Sequence, residues 1–262
     1  MRSERHMSHR PLCTRGKRAV VTATIAVALV AGCDGLESGG SSAGSGPDAA
    51  TGRATSPLVN PDGTKPGLGA LTSEADKTDA RKLVDELTVK GRGPKTGYDR
   101  DKFGYAWMDT AEGVPLARNG CDTRNDLLKL HGRDVQFRAG SDCVVVSMNL
   151  ADPYTGKSIE WRKQKAAEVQ IDHVVPLSYA WQMGASRWSK EKRQQLANDP
   201  LNLLPVDGSA NSAKSDSGPA SWLPPNKSIR CSYAVRFAQV AEKYELPVTA
   251  PDMRMMLKQC GG

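Results

Sequence analysis

The sequence predicts a single α+β domain over residues 72–262, and three observations support this fold class. Apolar residues recur at helical spacing in several segments of that range, as in helices that pack one face against a core. Between those segments lie short apolar and β-branched runs that end at proline or glycine, which is typical of strands. The chain is 39% hydrophobic and 25% charged, a composition that indicates a globular protein.

The N-terminus has the pattern of an export signal. Residues 2–18 are basic and polar, and residues 19–31 form an uncharged apolar run. This run is too short to span a hydrocarbon core of about 30 Å, but it matches the core of a signal peptide. It ends in Val-Ala-Gly-Cys at 30–33, which resembles a bacterial lipobox with Cys33 as the lipidated residue. We therefore predict a lipoprotein signal peptide at 1–32.

This signal predicts an exported protein that a lipid holds on the extracellular face of the cell membrane. An ordinary signal peptide or membrane anchor with a chance cysteine is the alternative. The signal also accounts for most of the net charge of +7, since residues 1–32 hold six Lys and Arg against one acid. The remainder carries only about +2, so bulk charge does not establish a nucleic-acid partner.

Residues 33–71 are predicted to be a flexible tether between the lipid and the domain. Gly, Ser, Ala, Pro and Thr dominate this segment. Such a composition buries too little apolar surface to offset the entropy lost on ordering.

Four helices are predicted within the domain, besides a further one at 209–216 that is described below. The first begins at Thr72 or Ser73, which can cap it, and its apolar stripe runs to Leu87. The second covers 189–198, between a serine cap and an Asn-Asp-Pro stop. The third and fourth are expected around 232–244 and 250–258. The run at 143–148 has the composition of a short strand.

Cysteine usage predicts two disulfide bonds. Cys13 leaves with the signal and Cys33 is assigned to the lipid, so four cysteines remain in an oxidising compartment: Cys121, Cys143, Cys231 and Cys260. Four cysteines allow three connectivities, and we favour Cys121–Cys143 with Cys231–Cys260 because each bond joins sequence neighbours. A zinc site is the alternative, which the absence of any Cys-x-x-Cys pair disfavours.

The histidines are few, and one lies in a notable context. After the signal only His131 and His173 remain. His131 has no acidic neighbour in sequence and is predicted to be a surface residue. His173 directly follows Asp172 in a short β-type run at 169–175 that breaks at a proline. An imidazole beside a carboxylate is a candidate for acid–base or metal chemistry, although the dipeptide alone is not specific.

Three further polar residues follow in a fixed order. A second strand-like run at 199–206 contains Asn202 and leads into an Asp-Gly turn. A helix is then predicted over 209–216, and it carries Asn211 and Lys214 three residues apart, on one helix face.

This order of strand with Asp-His, strand with Asn, turn, and helix with Asn and Lys resembles the ββα-metal fold of HNH nucleases in its His-Asn-Asn form. The corresponding core covers about 168–218. Five more segments are similar to exported actinobacterial HNH-family proteins and to the C-terminal domain of GmrSD-type restriction endonucleases; they lie at 97–100, 121–124, 152–156, 197–203 and 222–226. The resemblance covers roughly 80–260 and implies a metal-dependent endonuclease that hydrolyses phosphodiester bonds of DNA.

The resemblance also implies a role for each motif residue. His173 would be the general base, because a neutral imidazole can take a proton from water near neutral pH. Asp172 and Asn211 would give oxygen ligands to a divalent metal, Mg²⁺ with Mn²⁺ or Zn²⁺ as alternatives. Asn202 would hold the histidine loop through backbone hydrogen bonds, and Lys214 would contact a phosphate or support that loop.

Four of these residues also have a purely structural interpretation. The alternatives are a histidine that flanks a strand at 173, a turn asparagine at 202, a helix-cap asparagine at 211 and a surface lysine at 214.

Four basic residues are predicted to bind substrate phosphates. Arg187, Lys190 and Arg193 cluster between the two halves of the motif, and Arg124 follows the first domain cysteine. A solvated helix face is the alternative for the cluster, and an ion pair with Asp122 or Asp126 is the alternative for Arg124.

Three functions therefore compete. The first is the lipid-anchored endonuclease, with DNA as substrate, RNA left open and no protein partner implied. The second is a surface lipoprotein that binds nucleic acid or a cell-wall polymer without turnover. The third is a structural envelope domain held together by its disulfides.

Overall fold

The computed structural model describes residues 54–262, which all belong to one compact unit. The predicted signal peptide, the lipidation residue Cys33 and the first part of the predicted tether lie outside the described residues. No helix within 54–262 is long and apolar enough to cross a membrane.

The described chain is a mixture of helices and antiparallel strands, which confirms the α+β class. The helices are α1 (Glu74–Asp85), α2 (Thr123–His131), α3 (Leu177–Met183), α4 (Lys190–Asn198), α5 (Gly208–Lys214), α6 (Arg230–Lys243) and α7 (Ala250–Gln259). The strands are β1 (Arg133–Phe137), β2 (Val145–Ala151), β3 (Ser158–Arg162), β4 (Val169–His173) and β5 (Leu203–Asp207).

Local capping signals account for several helix starts. The hydroxyl of Ser73 accepts a hydrogen bond from the backbone N–H of Asp76 at α1, and Ser189 does the same for Lys192 at α4. These bonds satisfy backbone donors that have no partner within the helix. The helices predicted near 232–244 and 250–258 are α6 and α7. Helices α2 and α3 were not predicted.

The strands form two separate antiparallel sheets in the order β1-β2-β3 and β4-β5. In the smaller sheet Asp172 lies opposite Leu204 and His173 lies opposite Leu203. The chain between these two strands forms α3 and α4, and α5 packs against both strands. The second strand begins at Leu203, later than predicted, because residues 200–202 form a 3₁₀ turn.

Two hydrophobic cores meet at the β4–β5 sheet. The large core gathers α1, α3, α6 and α7 around buried aromatic residues: Tyr154, Tyr179, Tyr233 and Phe237. The small core lies between α2 and the three-stranded sheet, and Trp161 is its largest member. Strand β5 contributes to both, because Leu203 belongs to the small core and Leu204 to the large core. The sheet that carries the motif is therefore held from both sides.

The structure contains the two favoured disulfides. Cys121 pairs with Cys143, next to the start of α2, and Cys231 pairs with Cys260, which joins α6 to the end of α7. Cys231 and Cys260 are buried, whereas Cys121 and Cys143 are partly exposed.

The prediction that the tether extends to residue 71 is wrong for residues 54–71, which pack against the domain. Leu68 and Leu71 are buried in the large core. The Ser232 hydroxyl of α6 donates to the Gly69 carbonyl over 2.6 Å. The tether was predicted from the average composition of 33–71, in which these two leucines have little weight. Burial of two leucines is nevertheless enough to hold a short segment against the domain.

The same segment overturns the surface prediction for His131. This histidine is buried, and its Nδ1 accepts a hydrogen bond from the Gly67 N–H at 2.9 Å. His131 is therefore part of the contact between α2 and the N-terminal segment.

Candidate active site at the end of strand β4

The end of β4 and the helix α5 bring Asp172, His173 and Asn211 to one cleft. We call it the α5 cleft; Lys95, Tyr98, Arg100, Pro176, Ser178 and Asp216 are among the other residues that line it. His173 also lines a second depression, the loop cleft, which is formed by residues 100, 101 and 103–107 with Leu177, Ala197 and Asn198. His173 is therefore common to both clefts.

The imidazole of His173 is held in one tautomer. The Nε2 atom lies 3.0 Å from the Ala197 carbonyl oxygen. Because a carbonyl oxygen can only accept a hydrogen bond, Nε2 carries the hydrogen. Nδ1 is then the unprotonated nitrogen and can accept a proton. The ring is 7% exposed and lies parallel to the Trp107 indole, with ring centroids 6.1 Å apart.

The electrostatic surroundings keep this imidazole neutral. Burial lowers the pKa of His173 to about 3, and the positive charges of Arg100 and Lys214 act in the same direction. The hydrogen bond to the Ala197 carbonyl favours the charged form and opposes them. At neutral pH the ring therefore has a free lone pair, which a general base requires.

Asp172 meets a different environment from its neighbour. Its side chain is buried, the Tyr154 hydroxyl donates to Oδ2 at 2.5 Å, and Lys214 Nζ donates to Oδ1 at 2.9 Å. Burial raises the pKa of Asp172 and lowers the pKa of Lys214; their mutual contact opposes both shifts, but the effect of burial remains the larger. The pair is a buried ion pair with a hydroxyl as third member.

Lys214 supports the histidine loop. Its side chain has no exposed surface, and Nζ also donates to the backbone carbonyl of His173 at 2.8 Å. The alternative of a surface lysine is therefore wrong, and the two contacts of the ammonium favour support of the loop over a phosphate contact.

Asn202 holds the same loop from the other strand. Its Oδ1 accepts from the Val175 N–H at 2.8 Å, and its Nδ2 donates to the carbonyls of Val175 and Leu196. These are the side-chain to backbone bonds that the resemblance implies. Asn202 lies in the 3₁₀ turn before β5, so the predicted place on the strand itself is wrong by one residue.

Asn211 presents an amide oxygen at the α5 cleft. Its Nδ2 donates to Gln170 Oε1 at 2.8 Å, and within residues 54–262 no donor reaches its Oδ1. The cap of α5 is Asp207, whose side chain accepts from the Ala210 N–H. The alternative of a helix-cap asparagine is therefore wrong.

The four basic residues predicted to bind phosphates do not line either cleft. Arg124 donates to the Val169 carbonyl at the start of β4, and Arg193 donates to the Lys102 carbonyl at 2.9 Å. Both guanidinium groups thus hold backbone segments beside the site. Arg187 and Lys190 are exposed, away from His173's two clefts.

The cation that the structure places at the site is Arg100. It is exposed, it lines both clefts, and its guanidinium has no partner among the described residues. Lys95 anchors the preceding turn through an ion pair with Asp216 at 2.9 Å. Sequence reasoning assigned Arg100 no role, although the segment 97–100 was one of those that carried the resemblance. Tyr154, from the segment 152–156, was missed in the same way.

These features define a disulfide-bonded α+β domain in which a neutral, oriented histidine shares a cleft with oxygen donors and a free cation. The chain matches the family described as "GmrSD restriction endonucleases, C-terminal domain" over residues 122–259. This match covers more than half of the chain, which therefore belongs to this nuclease-related family.

The chain is also similar to a curated protein of undescribed activity. The chain is 39% identical over 186 residues to a protein of Arthroderma benhamiae described as "Uncharacterized secreted protein". The alignment covers 69% of this chain and 84% of that protein. No solved structure gives a significant match.

Proposed function

We propose that this chain is a metal-dependent HNH-type endonuclease that hydrolyses phosphodiester bonds of DNA, with β4, β5 and α5 as its ββα-metal core. The observation that carries the proposal is His173, a neutral imidazole with Nε2 fixed on a carbonyl and Nδ1 free, in a cleft with Asp172 and Asn211. The order of the three elements and the membership in a nuclease-related family support it.

The donor atoms at the α5 cleft fit a hard cation that keeps most of its water. Among residues 54–262 no group of three or more His, Cys, Asp or Glu side chains could hold a metal ion. Catalytic zinc takes three protein ligands, whereas Mg²⁺ takes one or two protein oxygens and retains waters. Asn211 Oδ1 is free to ligate, and each oxygen of Asp172 accepts one hydrogen bond and has lone-pair capacity left. Mg²⁺ or Mn²⁺ is the favoured cofactor.

Side chains of the site would carry out proton transfer, phosphate binding and support of the histidine loop. His173 Nδ1 takes the proton of the attacking water, and the Ala197 carbonyl stabilises the imidazolium that forms. Arg100 binds the non-bridging oxygens of the scissile phosphate. Lys214 and Asn202 fix the backbone on either side of the histidine ring. When bound, a divalent metal would supply charge stabilisation at the phosphate and at the leaving oxygen.

We propose the extracellular face of the cell membrane as the site of action, with Cys33 as the lipid attachment point. The signal-like N-terminus, the two disulfides and the secreted relative support export. Replacing Cys33 by serine should release the protein from the membrane fraction without changing its specific activity. A variant that stayed membrane-bound would contradict the lipid anchor.

The deciding experiment is cleavage of plasmid DNA and of RNA by the purified full chain, with Mg²⁺, Mn²⁺, Zn²⁺ or a chelator. We expect DNA cleavage that Mg²⁺ or Mn²⁺ supports and that the chelator abolishes. Asn211→Ala should raise the metal concentration that gives half-maximal rate, because it removes one oxygen ligand. Arg254→Ala, on the exposed surface of α7, is the control. Absence of cleavage under every condition would favour the non-catalytic lipoprotein.

A further inference from the structure

The loop cleft has an exposed aromatic side chain at its rim. Tyr105 is 62% exposed, and of the described residues only Val59 and Val89 are comparably exposed large hydrophobic side chains. Neither valine lines a cleft at His173, whereas Tyr105 does. Its hydroxyl lies 3.2 Å from the hydroxyl of Thr110, which restrains the side chain while the ring face remains accessible.

The backbone of this loop is held in an unusual conformation. Gly104 has φ +91° and Trp107 has φ +61°, and a bulky residue in the left-handed region is an outlier. Such outliers persist where the surroundings enforce them, and they concentrate at functional sites. Here the surroundings are the Arg193 guanidinium, which donates to the Lys102 carbonyl, and the Thr123 N–H, which donates to the Trp107 carbonyl. The loop is therefore fixed relative to the histidine ring.

A cation completes the cleft. Arg100 lies at the other end of the same loop, and it lines both the loop cleft and the α5 cleft. The loop cleft thus combines an aromatic face, a guanidinium without a partner among residues 54–262, and one side of His173. Those are the elements that bind a nucleotide: a stacking surface for the base and a cation for the phosphate.

We propose that the loop cleft binds one unpaired nucleotide next to the scissile phosphate, with Tyr105 stacked on its base, and that single-stranded DNA is the preferred substrate. The proposal rests on the proposed function and names its substrate class. A base within a duplex already has both faces stacked, so an exposed ring can stack only on a base outside a helix. The modest positive charge of the chain beyond residue 32 also suits a short contact better than a long duplex track.

The test is the affinity of the full chain for a fluorescein-labelled single-stranded oligonucleotide, measured by anisotropy with chelator present so that no cleavage occurs. Tyr105→Ala should weaken binding roughly 5- to 150-fold, which is the range measured for a base–aromatic stack. Tyr105→Phe should bind within about twofold of the wild type, since the ring carries the interaction. Thr110→Val controls for the hydroxyl contact, and Val89→Ala controls for loss of an exposed apolar side chain.

A second set of measurements compares the affinity for single-stranded DNA with the affinity for duplex DNA. A duplex of the same sequence should bind more weakly than the single strand, and Tyr105→Ala should narrow that difference. Wild-type affinity in Tyr105→Ala, or equal affinity for duplex and single strand, would overturn the subsite.

The two proposals can fail separately. Tyr105-dependent binding by a chain that cleaves nothing would support the subsite and refute the nuclease. Metal-dependent cleavage that Tyr105→Ala leaves unchanged on single strands would support the nuclease and refute the subsite.

Discussion

Buried carboxylates on the two sides of the β4–β5 sheet differ in their hydrogen-bond partners. On the side of the large core, both oxygens of Asp172 have partners, the Tyr154 hydroxyl and the Lys214 ammonium. On the side of the small core, Asp126 of α2 is also buried, but its Oδ2 has no hydrogen-bond partner among the described residues. One side therefore holds a carboxylate through both of its oxygens, whereas the other leaves one oxygen of a buried carboxylate without a partner.

The well-partnered carboxylate also shows how two adjacent residues of one strand, Asp172 and His173, can have separate roles. Asp172 and His173 both line the α5 cleft, but each oxygen of Asp172 already accepts a hydrogen bond, whereas one ring nitrogen of His173 has no partner among the described residues. A buried ion pair adds little net stability, but breaking it is costly, so it fixes the geometry of what it holds. In this molecule it holds the backbone of the histidine.

The largest expected effect is on the cleft side. His173→Ala should lower the rate of DNA cleavage by about 10²–10⁴-fold, because it removes the proton acceptor. Initial rates, with circular dichroism as a check that the variant is folded, measure this. A folded variant that keeps more than half of the wild-type rate would end the assignment of His173 as general base.

The next effect is on the side of the large core. Lys214→Met should lower the free energy of unfolding by about 3–5 kcal/mol, because it leaves Asp172 buried without its counter-ion. The double variant Asp172→Asn/Lys214→Met should recover part of that loss, since no unpaired charge remains. Urea denaturation of both single variants and the double variant gives the coupling. Additive losses would show that the two side chains do not depend on each other.

The two disulfides offer a further comparison, because Cys231–Cys260 lies in the large core and Cys121–Cys143 lies next to the start of α2. Each bond should contribute about 2–4 kcal/mol, and the two loops are similar in length, with sequence separations of 22 and 29 residues. Replacing Cys231 and Cys260 by serine should nevertheless lower the melting temperature more, because it puts hydroxyls into the large core. Replacing Cys121 and Cys143 should have the larger effect on cleavage per folded molecule, since Cys121 precedes α2 beside the loop cleft. Thermal melts paired with activity measure both, and the reverse order would contradict this view.

The smallest effect concerns pH and Asp126. Burial raises its pKa to about 6, so the folded protein binds a proton between about pH 6 and pH 3.8 that the unfolded chain binds less well. This group therefore adds stability as pH falls through that window and costs stability above it. Asp126→Asn should stabilise the protein by roughly 1–3 kcal/mol at pH 8, with the gain shrinking toward pH 4. A gain that did not vary with pH would show that Asp126 is ionised in the folded protein throughout.

Local signals in the sequence predicted much of the framework. A serine cap located α1 together with its apolar spacing, and another located α4 together with its Asn-Asp-Pro stop. The short spacing between cysteines favoured the observed pairing. Helix α3 was not predicted, because nearly all of its residues are buried and it therefore lacks the amphipathic stripe that identifies a helix.

The site was predictable only in part, because its remaining members come from distant segments. The motif located His173, Asp172 and Asn211, whose elements adjoin. Lys214 lies 42 positions from its carboxylate partner, and nothing local showed that its ammonium would be buried. Arg100 reaches the histidine from a loop more than 70 positions earlier, so only the tertiary fold identifies it.

The docking of residues 54–71 has a consequence for what counts as a separable unit of this protein. A fragment that began at residue 72 would uncover the apolar groove that Leu68 and Leu71 fill, and it would leave Ser232 and Gln239 of α6 without their carbonyl acceptors. It would also strip His131 of its contact with Gly67, at the end of α2. A fragment that keeps these contacts therefore starts at or before Pro57, and one that starts at residue 72 would behave as a partly opened protein whatever its catalytic competence.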